Sequence, residues 1–538
     1  MTERAVLDGR SLTIAEVVRI SRGEGEVGLS EAAAVRLRES RSLKLDLIAT
    51  QQPIYGVTTG FGDSANRQIS PAKAAELQRN MIRYHLNGTG PAATPEVARA
   101  TLLIRANCLA RGNSAVNPAI VDRLLDLLRH DALPVIPERG SVGASGDLVP
   151  MCYVAAPLIG EGELLHRGVV RPAAEVLAEL GLEPLVPEAK DGLALINGTS
   201  FSSAYAALAI ARAEELAVLA EVCTALASEG LHGNRSHFNA FIHEEKPHPG
   251  QVTSARRIAE ILTDSGLALE HSQVLGLSDA LEDRGYQRLT RTIQDRYSIR
   301  CAPHVIGVLR DTIDWARRWI EIEINSSNDN PLFDVAGATV HSGGNFYGGH
   351  VVQAMDALKV AVANVADLLD RQLELLVDEK FNNGLTPNLI APVQADEWAA
   401  GLHHGFKGMQ LACSAITAEA LKNTNPVSVF SRSTEAHNQD KVSMSPIAAR
   451  DARTIVELVQ EVTAIHLLAA CQAVEIRGAD LLATRSRTVH DLVRTVAPFV
   501  DTDRRMDADI QGVLRLIRSG ELVDAARSAE ERKELADA

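Results

Sequence analysis

The stretch VVQAMDALKVAVANVADLLDRQLELLV, Val351 to Val377, decides how the chain folds. Its residues Met355, Leu358, Val362, Val365, Leu369, Leu373 and Leu376 step by three and four, the spacing that places side chains on one face of an α-helix. A second stripe, Ile455, Leu458, Val462, Ile465 and Leu468, does the same. Both stretches are apolar at flanking positions too, which predicts burial on more than one side. Paired long stripes are the seams of a bundle, so the expected fold is mainly all-α with a long central helical bundle. Composition agrees. Of 538 residues, 46% are hydrophobic but only 4% aromatic, a balance that favours helices over sandwiches or barrels.

Working outward, three regions are expected: a loop-rich region over 1–200, the bundle over 201–480, and charged peripheral helices over 481–538. The first forty-five residues read as short helices with a turn at Arg22 to Gly25. Pro53 to Ser70, PIYGVTTGFGDSANRQIS, reads as a long loop of the kind that carries function. Helical periodicity returns from Pro71 to about His130. Gly160 to Pro187 reads as an excursion with a short strand pair and a helix, and Gly192 to Ser200 as a turn before a helix reaching about Glu229.

The net charge of −15 argues against a nucleic-acid partner, which needs a basic face. The N-terminus MTERAVLDGRSLTIAEVVRI lacks a continuous apolar segment, so no signal peptide is expected. No run of eighteen apolar residues predicts a membrane span. Cys108, Cys152, Cys223, Cys301, Cys413 and Cys471 include no Cys-x-x-Cys pair and read as reduced, cytoplasmic thiols.

The chemistry centres on PERGSVGASGDLVPM, Pro137 to Met151. Ala144-Ser145-Gly146 could be a plain turn with Asp147 capping the next helix. It could instead cyclise on itself. The Gly146 amide nitrogen would attack the Ala144 carbonyl, and loss of two waters would leave Ser145 as a methylidene carbon. Glycine suits that nitrogen because it is unhindered and tolerates a bent backbone. The product, 4-methylideneimidazole-5-one (MIO), is an electrophile that needs no added metal or nucleotide.

Surrounding motifs separate the readings. GSVGASGDLVP is followed in order by GLALINGTS, YSIRCAP, NSSNDNPLF and HNQDKVSM. Together with IYGVTTGFG at Ile54, these resemble the aromatic amino-acid ammonia-lyase and aminomutase family, over nearly the whole chain. The resemblance implies a homotetramer whose active sites draw loops from more than one chain. It implies MIO from Ala144, Ser145 and Gly146, with Asp147 assisting. Tyr55 matches the family's general base and Asn197 its contact to the MIO oxygen. Tyr297 and Arg300 match the second tyrosine and the carboxylate-binding arginine, and Asn345 and Phe346 the pair beside MIO. Gln439 matches the supporting Asn-Gln-Asp motif.

These residue types suit the reaction. Ammonia leaves an amino acid poorly and the β-proton is weakly acidic, so attaching the amine to an electrophile makes it a better leaving group. A tyrosine with its ordinary pKa of ~10 can take the β-proton only if positive charge or a helix N-terminus lowers that value. Arginine's fork binds both carboxylate oxygens.

Substrate choice falls on Tyr84 and His85 in LQRNMIRYHLNGTG. Phenylalanine lyases of the family usually carry Phe-Leu here, one group of tyrosine lyases His-Leu, and histidine lyases or tyrosine aminomutases Ser-His. Tyr-His matches none of them. Two polar groups facing a plain phenyl would lose hydrogen bonds, at ~1–3 kcal/mol, so tyrosine is favoured over phenylalanine. Histidine is less favoured, because histidine lyases carry Gln-Glu-Asp in place of Asn438-Gln439-Asp440. Glu435, with Lys407 and Leu411 in GFKGMQL, resembles the phenylalanine-lyase pattern. Aminomutases often carry Asn in place of Glu435, which tilts the reading toward lyase over a tyrosine or phenylalanine 2,3-aminomutase. Lys441 departs from the family pattern. His232, His237, His243 and His248 match no zinc spacing, and Ser342 to Gly349 is not a phosphate loop.

Overall fold

The computed structural model describes residues 4–528. The first stripe lies on the helix Gly349–Val377, with Met355, Leu358, Val362, Val365, Leu369, Leu373 and Leu376 all buried. The second lies on Ser445–Arg477, where Ile455, Val462, Ile465 and Leu468 are buried and Leu458 is half-buried. That helix is long and apolar enough to cross a membrane, but 78% of its most apolar window is buried inside the protein. Ser200–Gly230 and Ala302–Ile324 complete the set of long helices, and the architecture is mainly α.

Packing divides the chain into two units. The first comprises Met1–Ala211, Trp315–Ala357 and Asn425–Arg453, and the second Arg212–Asp314, Leu358–Thr424 and Thr454–Ala538. The first forty-five residues differ from the helical expectation. Arg4–Leu7 and Glu26–Leu29 pair as parallel strands around the helix Ile14–Ser21. Ala5 and Leu7 point inward and Arg4 and Val6 outward, an alternation too short to stand out in the sequence. The turn at Arg22 to Gly25 is present, with Gly23 and Gly25 at positive φ.

Pro53 to Ser70 is a loop broken only by a short 3₁₀ turn, Gly62–Ser64. The excursion is the hairpin Glu163–His166 and Val169–Pro172, followed by the helix Ala173–Glu179. Gly192 to Ile196 is helical, within Asp191–Ile196, so only Asn197 to Thr199 forms the turn before Ser200–Gly230. That brief turn positions most of the site. All six cysteines are free, and only Cys301 is not fully buried.

Candidate active site

Ala144-Ser145-Gly146 sits in a socket made largely of backbone. Gly146 pairs with Gly198, and both have positive φ, +73° and +144°. The Asp147 N–H donates to the Gly198 carbonyl at 2.7 Å, and the Gly198 N–H donates to the Ser145 carbonyl at 3.3 Å. A Cβ on Gly146 would stand 2.2 Å from the Gly198 oxygen, and one on Gly198 would stand 2.5 Å from an Arg105 nitrogen. Both positions therefore demand glycine. On the other flank, the Met444 and Ser443 N–H groups donate to the Val142 and Gly143 carbonyls at 2.9 and 3.0 Å. Leu148, just beyond, holds a strained φ of 40°.

Two amide side chains reach the serine itself. Asn197 Nδ2 donates to the Ser145 carbonyl at 2.7 Å, and Gln439 Nε2 donates to Ser145 Oγ at 3.2 Å. The Asn330 N–H donates to Asn197 Oδ1 at 2.8 Å, which fixes the orientation of that amide.

Charge is enclosed beneath the socket. Asp147 is fully buried, and its Oδ2 accepts the Phe201 and Ser202 N–H groups at 2.7 and 2.9 Å. It thus caps the helix Ser200–Gly230 from a distant part of the sequence. Its Oδ1 has no partner. Burial pushes this carboxyl up to about 7, against the pull of the helix N–H groups. Arg105, also buried, donates to Asn328 Oδ1 and the Asn197 carbonyl, both at 3.0 Å, and to the Ala194 carbonyl. The ion pair of Lys190 Nζ and Asp329 Oδ2 lies at 2.5 Å, with both side chains out of water.

The socket opens into a cavity of about 660 Å³. Tyr55, Tyr84, His85, Ala144, Ser145, Asn197, Phe346, Glu435 and Gln439 all line it. Tyr55 Oη accepts the Gly62 N–H at 3.1 Å, and a Cβ on Gly62 would overlap the Glu435 carboxylate. Tyr55, Gly62 and Glu435 thus share one corner. Burial, and secondarily the Glu435 charge, raise the Tyr55 phenol, while the Gly62 N–H lowers it.

His85 ends the helix Ala74–Tyr84, and its Nδ1 lies 2.9 Å from the Met81 carbonyl. A carbonyl cannot donate, so Nδ1 carries the hydrogen and Nε2 is a bare acceptor. Burial lowers the imidazole pKa and keeps it neutral. The rings of Tyr84 and His85 meet at a centroid distance of 4.4 Å. Partial burial, then the Glu435 carboxylate, push the Tyr84 phenol up to about 12.

Other expected residues lie elsewhere. Asn345 turns from the cavity and donates to the Ser327 carbonyl at 3.1 Å. Tyr297, Arg300, Lys407 and Leu411 belong to the second unit. Tyr297 is 71% exposed and Leu411 65% exposed, and the Arg300 guanidinium lies over the Tyr297 ring at 4.5 Å. The cavity also holds residues that the sequence reading did not single out. Met81 sits in a helical pattern indistinguishable from core, and Leu193 and Ile196 fall in GLALINGTS, read as a turn, where their apolar side chains gave no signal of a lining role. Asn330 lies in NSSNDNPLF, where its motif was a usable signal. Lys441, the departure from the family pattern, is the one Lys or Arg in the lining.

Comparison with known proteins agrees with this geometry. Residues 12–495 match the profile of the aromatic amino acid lyases. A tyrosine ammonia-lyase of Cupriavidus metallidurans is 41% identical over 532 residues, covering 98% of both chains. A histidine ammonia-lyase of Gloeobacter violaceus is 40% identical over 529 residues, again covering 98% of both. The crystal structure of tyrosine aminomutase from Streptomyces globisporus superposes with a TM-score of 0.93 at 37% identity, over 98% of this chain and 99% of that one. The chain belongs to the aromatic amino acid lyase family, and it is a carbon–nitrogen lyase.

Proposed function

We propose that this chain is an ammonia-lyase that converts an aromatic L-amino acid, tyrosine before phenylalanine, to the trans-arylacrylate and ammonia. The observation that carries the substrate preference is the tautomer of His85. With Nδ1–H committed to the Met81 carbonyl, Nε2 offers the cavity an acceptor, which a para-hydroxyl satisfies and a plain phenyl does not.

The prosthetic group is MIO, from Ala144, Ser145 and Gly146, and the residues present fit it. The glycine pair lets the backbone close on itself, and the unpartnered Oδ1 of Asp147 is an enclosed acceptor one residue away. The group supplies an electrophile for the substrate amine. Asn197 and Gln439 hold the Ser145 carbonyl and Oγ positions. Tyr55 Oη takes the β-proton, and the Gly62 N–H stabilises the phenolate that precedes each turnover. Glu435, in the same corner, holds the amine. Met81, Leu193 and Ile196 exclude water from the ring end.

A second copy of the chain completes the site, in a homotetramer. Two observations support this. Tyr297 and Leu411 are matched to the family's site yet stand 71% and 65% exposed, and the charge acting on the Tyr55 phenol is that of Glu435, which raises it. Arg300 of another copy would bind the carboxylate and lower the Tyr55 phenol. The alternative reading, a tyrosine or phenylalanine 2,3-aminomutase, draws support from the likeness to tyrosine aminomutase, and Glu435 weighs against it. Histidine ammonia-lyase is the third reading. The test is incubation with L-tyrosine, L-phenylalanine and L-histidine, reading ammonia, arylacrylate and β-amino acid together. Coumarate with ammonia is the expected outcome. Predominant β-tyrosine, or urocanate from histidine, would replace this reading.

A further inference from the structure

One carboxyl behind the tripeptide takes no part in the elimination. Glu323, at the end of the helix Ala302–Ile324, accepts the hydroxyl of fully buried Thr199 at 2.5 Å. Thr199 also accepts from Asn328 Nδ2 at 2.9 Å. It directly follows Gly198, whose backbone receives the Asp147 N–H and donates to the Ser145 carbonyl. Glu323 thus grips the turn against which the tripeptide bends. The residue is half-buried, and its carboxyl is the enclosed end, where burial disfavours its charge. The Glu323 carboxyl also disfavours the charge of Asp147. The other groups facing this pair are Arg105, the Cys108 thiol and, next to Arg105, the ion pair of Lys190 and Asp329. Of the two enclosed acids, Asp147 keeps one oxygen without a partner, beside the turn that Glu323 holds.

We infer that Glu323 is a positioning residue for maturation: by gripping Thr199, it sets how fast Ala144-Ser145-Gly146 dehydrates. This rests on the MIO reading above. Closure joins the Gly146 nitrogen to the Ala144 carbonyl carbon. The Ala144 oxygen leaves as water with the amide hydrogens of Gly146 and Ser145. A second water takes the Ser145 hydroxyl and α-hydrogen, leaving the carbon–carbon double bond. No oxidant is required. Protons must leave two nitrogens and one carbon and reach two oxygens, so the placement of the turn beside the Asp147 carboxyl governs the rate.

The test makes full-length wild type, Glu323→Gln and Glu323→Ala by cell-free translation in buffers spanning neutral pH. Intact mass follows the two-water deficit with time, and circular dichroism checks folding. Gln keeps an acceptor for Thr199 but cannot titrate. The expected result is dehydration slowed by about tenfold in Glu323→Gln, with a displaced pH profile. A folded Gln variant that matures at the wild-type rate overturns the inference. So does a uniformly slower rate with an unmoved pH profile, since that reports a structural contact alone. If Glu323→Ala does not fold, Glu323→Gln carries the test. A wild-type chain without any deficit refutes the MIO reading itself, which keeps the two failures apart.

Discussion

Replacing His85 by leucine tests the substrate reading most directly. The His85 ring lines the cavity and bonds through Nδ1 to the Met81 carbonyl at 2.9 Å, which leaves Nε2 as the acceptor proposed for the substrate. In the variant, a tyrosine hydroxyl entering the cavity loses its acceptor at a place where water is largely displaced. An unmade hydrogen bond of that kind costs ~1–3 kcal/mol, while phenylalanine gains an apolar neighbour and loses nothing. At ~1.4 kcal/mol per decade, the ratio of kcat/KM for tyrosine over phenylalanine should fall roughly 5- to 150-fold. The assay is steady-state arylacrylate formation from each amino acid at equal enzyme concentration. The ratio is decisive because any general damage, including the orphaned Met81 carbonyl, falls on both substrates alike. His85→Gln, which restores an acceptor, should recover part of the preference. An unchanged ratio in His85→Leu would refute the argument, since it would mean that Nε2 never meets the ring substituent.

Other expectations follow from the same geometry. Ser145→Ala should show no two-water deficit and almost no turnover. Gly146→Ala should behave likewise, because its Cβ would stand 2.2 Å from the Gly198 oxygen; a matured Ala variant would refute the fit. In a Ser145→Ala background, Asp147→Asn should gain stability relative to its parent as pH rises. The folded carboxyl keeps its proton to about 7, whereas the unfolded one releases it near its ordinary 3.8, so the parent's stability falls across that window. The gain is at most ~1.4 kcal/mol per pH unit, and equal denaturation midpoints at both ends of the window would contradict it. Because burial lowers His85, tyrosine preference should persist below the imidazole's ordinary titration range; loss of preference near its ordinary value would mean that the ring is solvated. Finally, co-expressing Tyr55→Phe with Arg300→Ala should regain part of the activity that each lacks alone, since mixed oligomers would contain sites with both residues intact. No recovery in verified mixed oligomers would count against shared sites.

The bundle was legible because its stripes are long. Seven apolar residues in strict three-and-four steps leave no competing pattern between Met355 and Leu376. The strands Arg4–Leu7 and Glu26–Leu29 were not, because four residues cannot display a period. The socket was legible in its chemistry but not in its supports. The small residues at 144 to 146 and the motif Asn197-Gly198-Thr199 could be quoted from the sequence. Nothing in either stretch says that Gly146 and Gly198 lie back to back, or that Asp147 caps a helix beginning at Ser200. Those are long-range facts of folding. Lys441 is a different case. It was visible as an oddity, and its place in the cavity lining came only with the structure. Tyr297 and Leu411 show the converse, residues matched by motif whose side chains stand exposed.

The way Gly146 rests on Gly198 also bears on how such an enzyme diversifies. Each part of that socket is committed to another, glycine to glycine and amide to carbonyl, so few single changes there survive. The wall at Tyr84 and His85 is anchored by one hydrogen bond at the tail of one helix, and its side chains are bound to little else. On the proposed reading of that wall, selection can rewrite which ring is read without disturbing the machinery that reacts. That separation of a frozen part from an editable one suits a lineage whose members, at 41% and 40% identity to this chain, bear the names of different substrates.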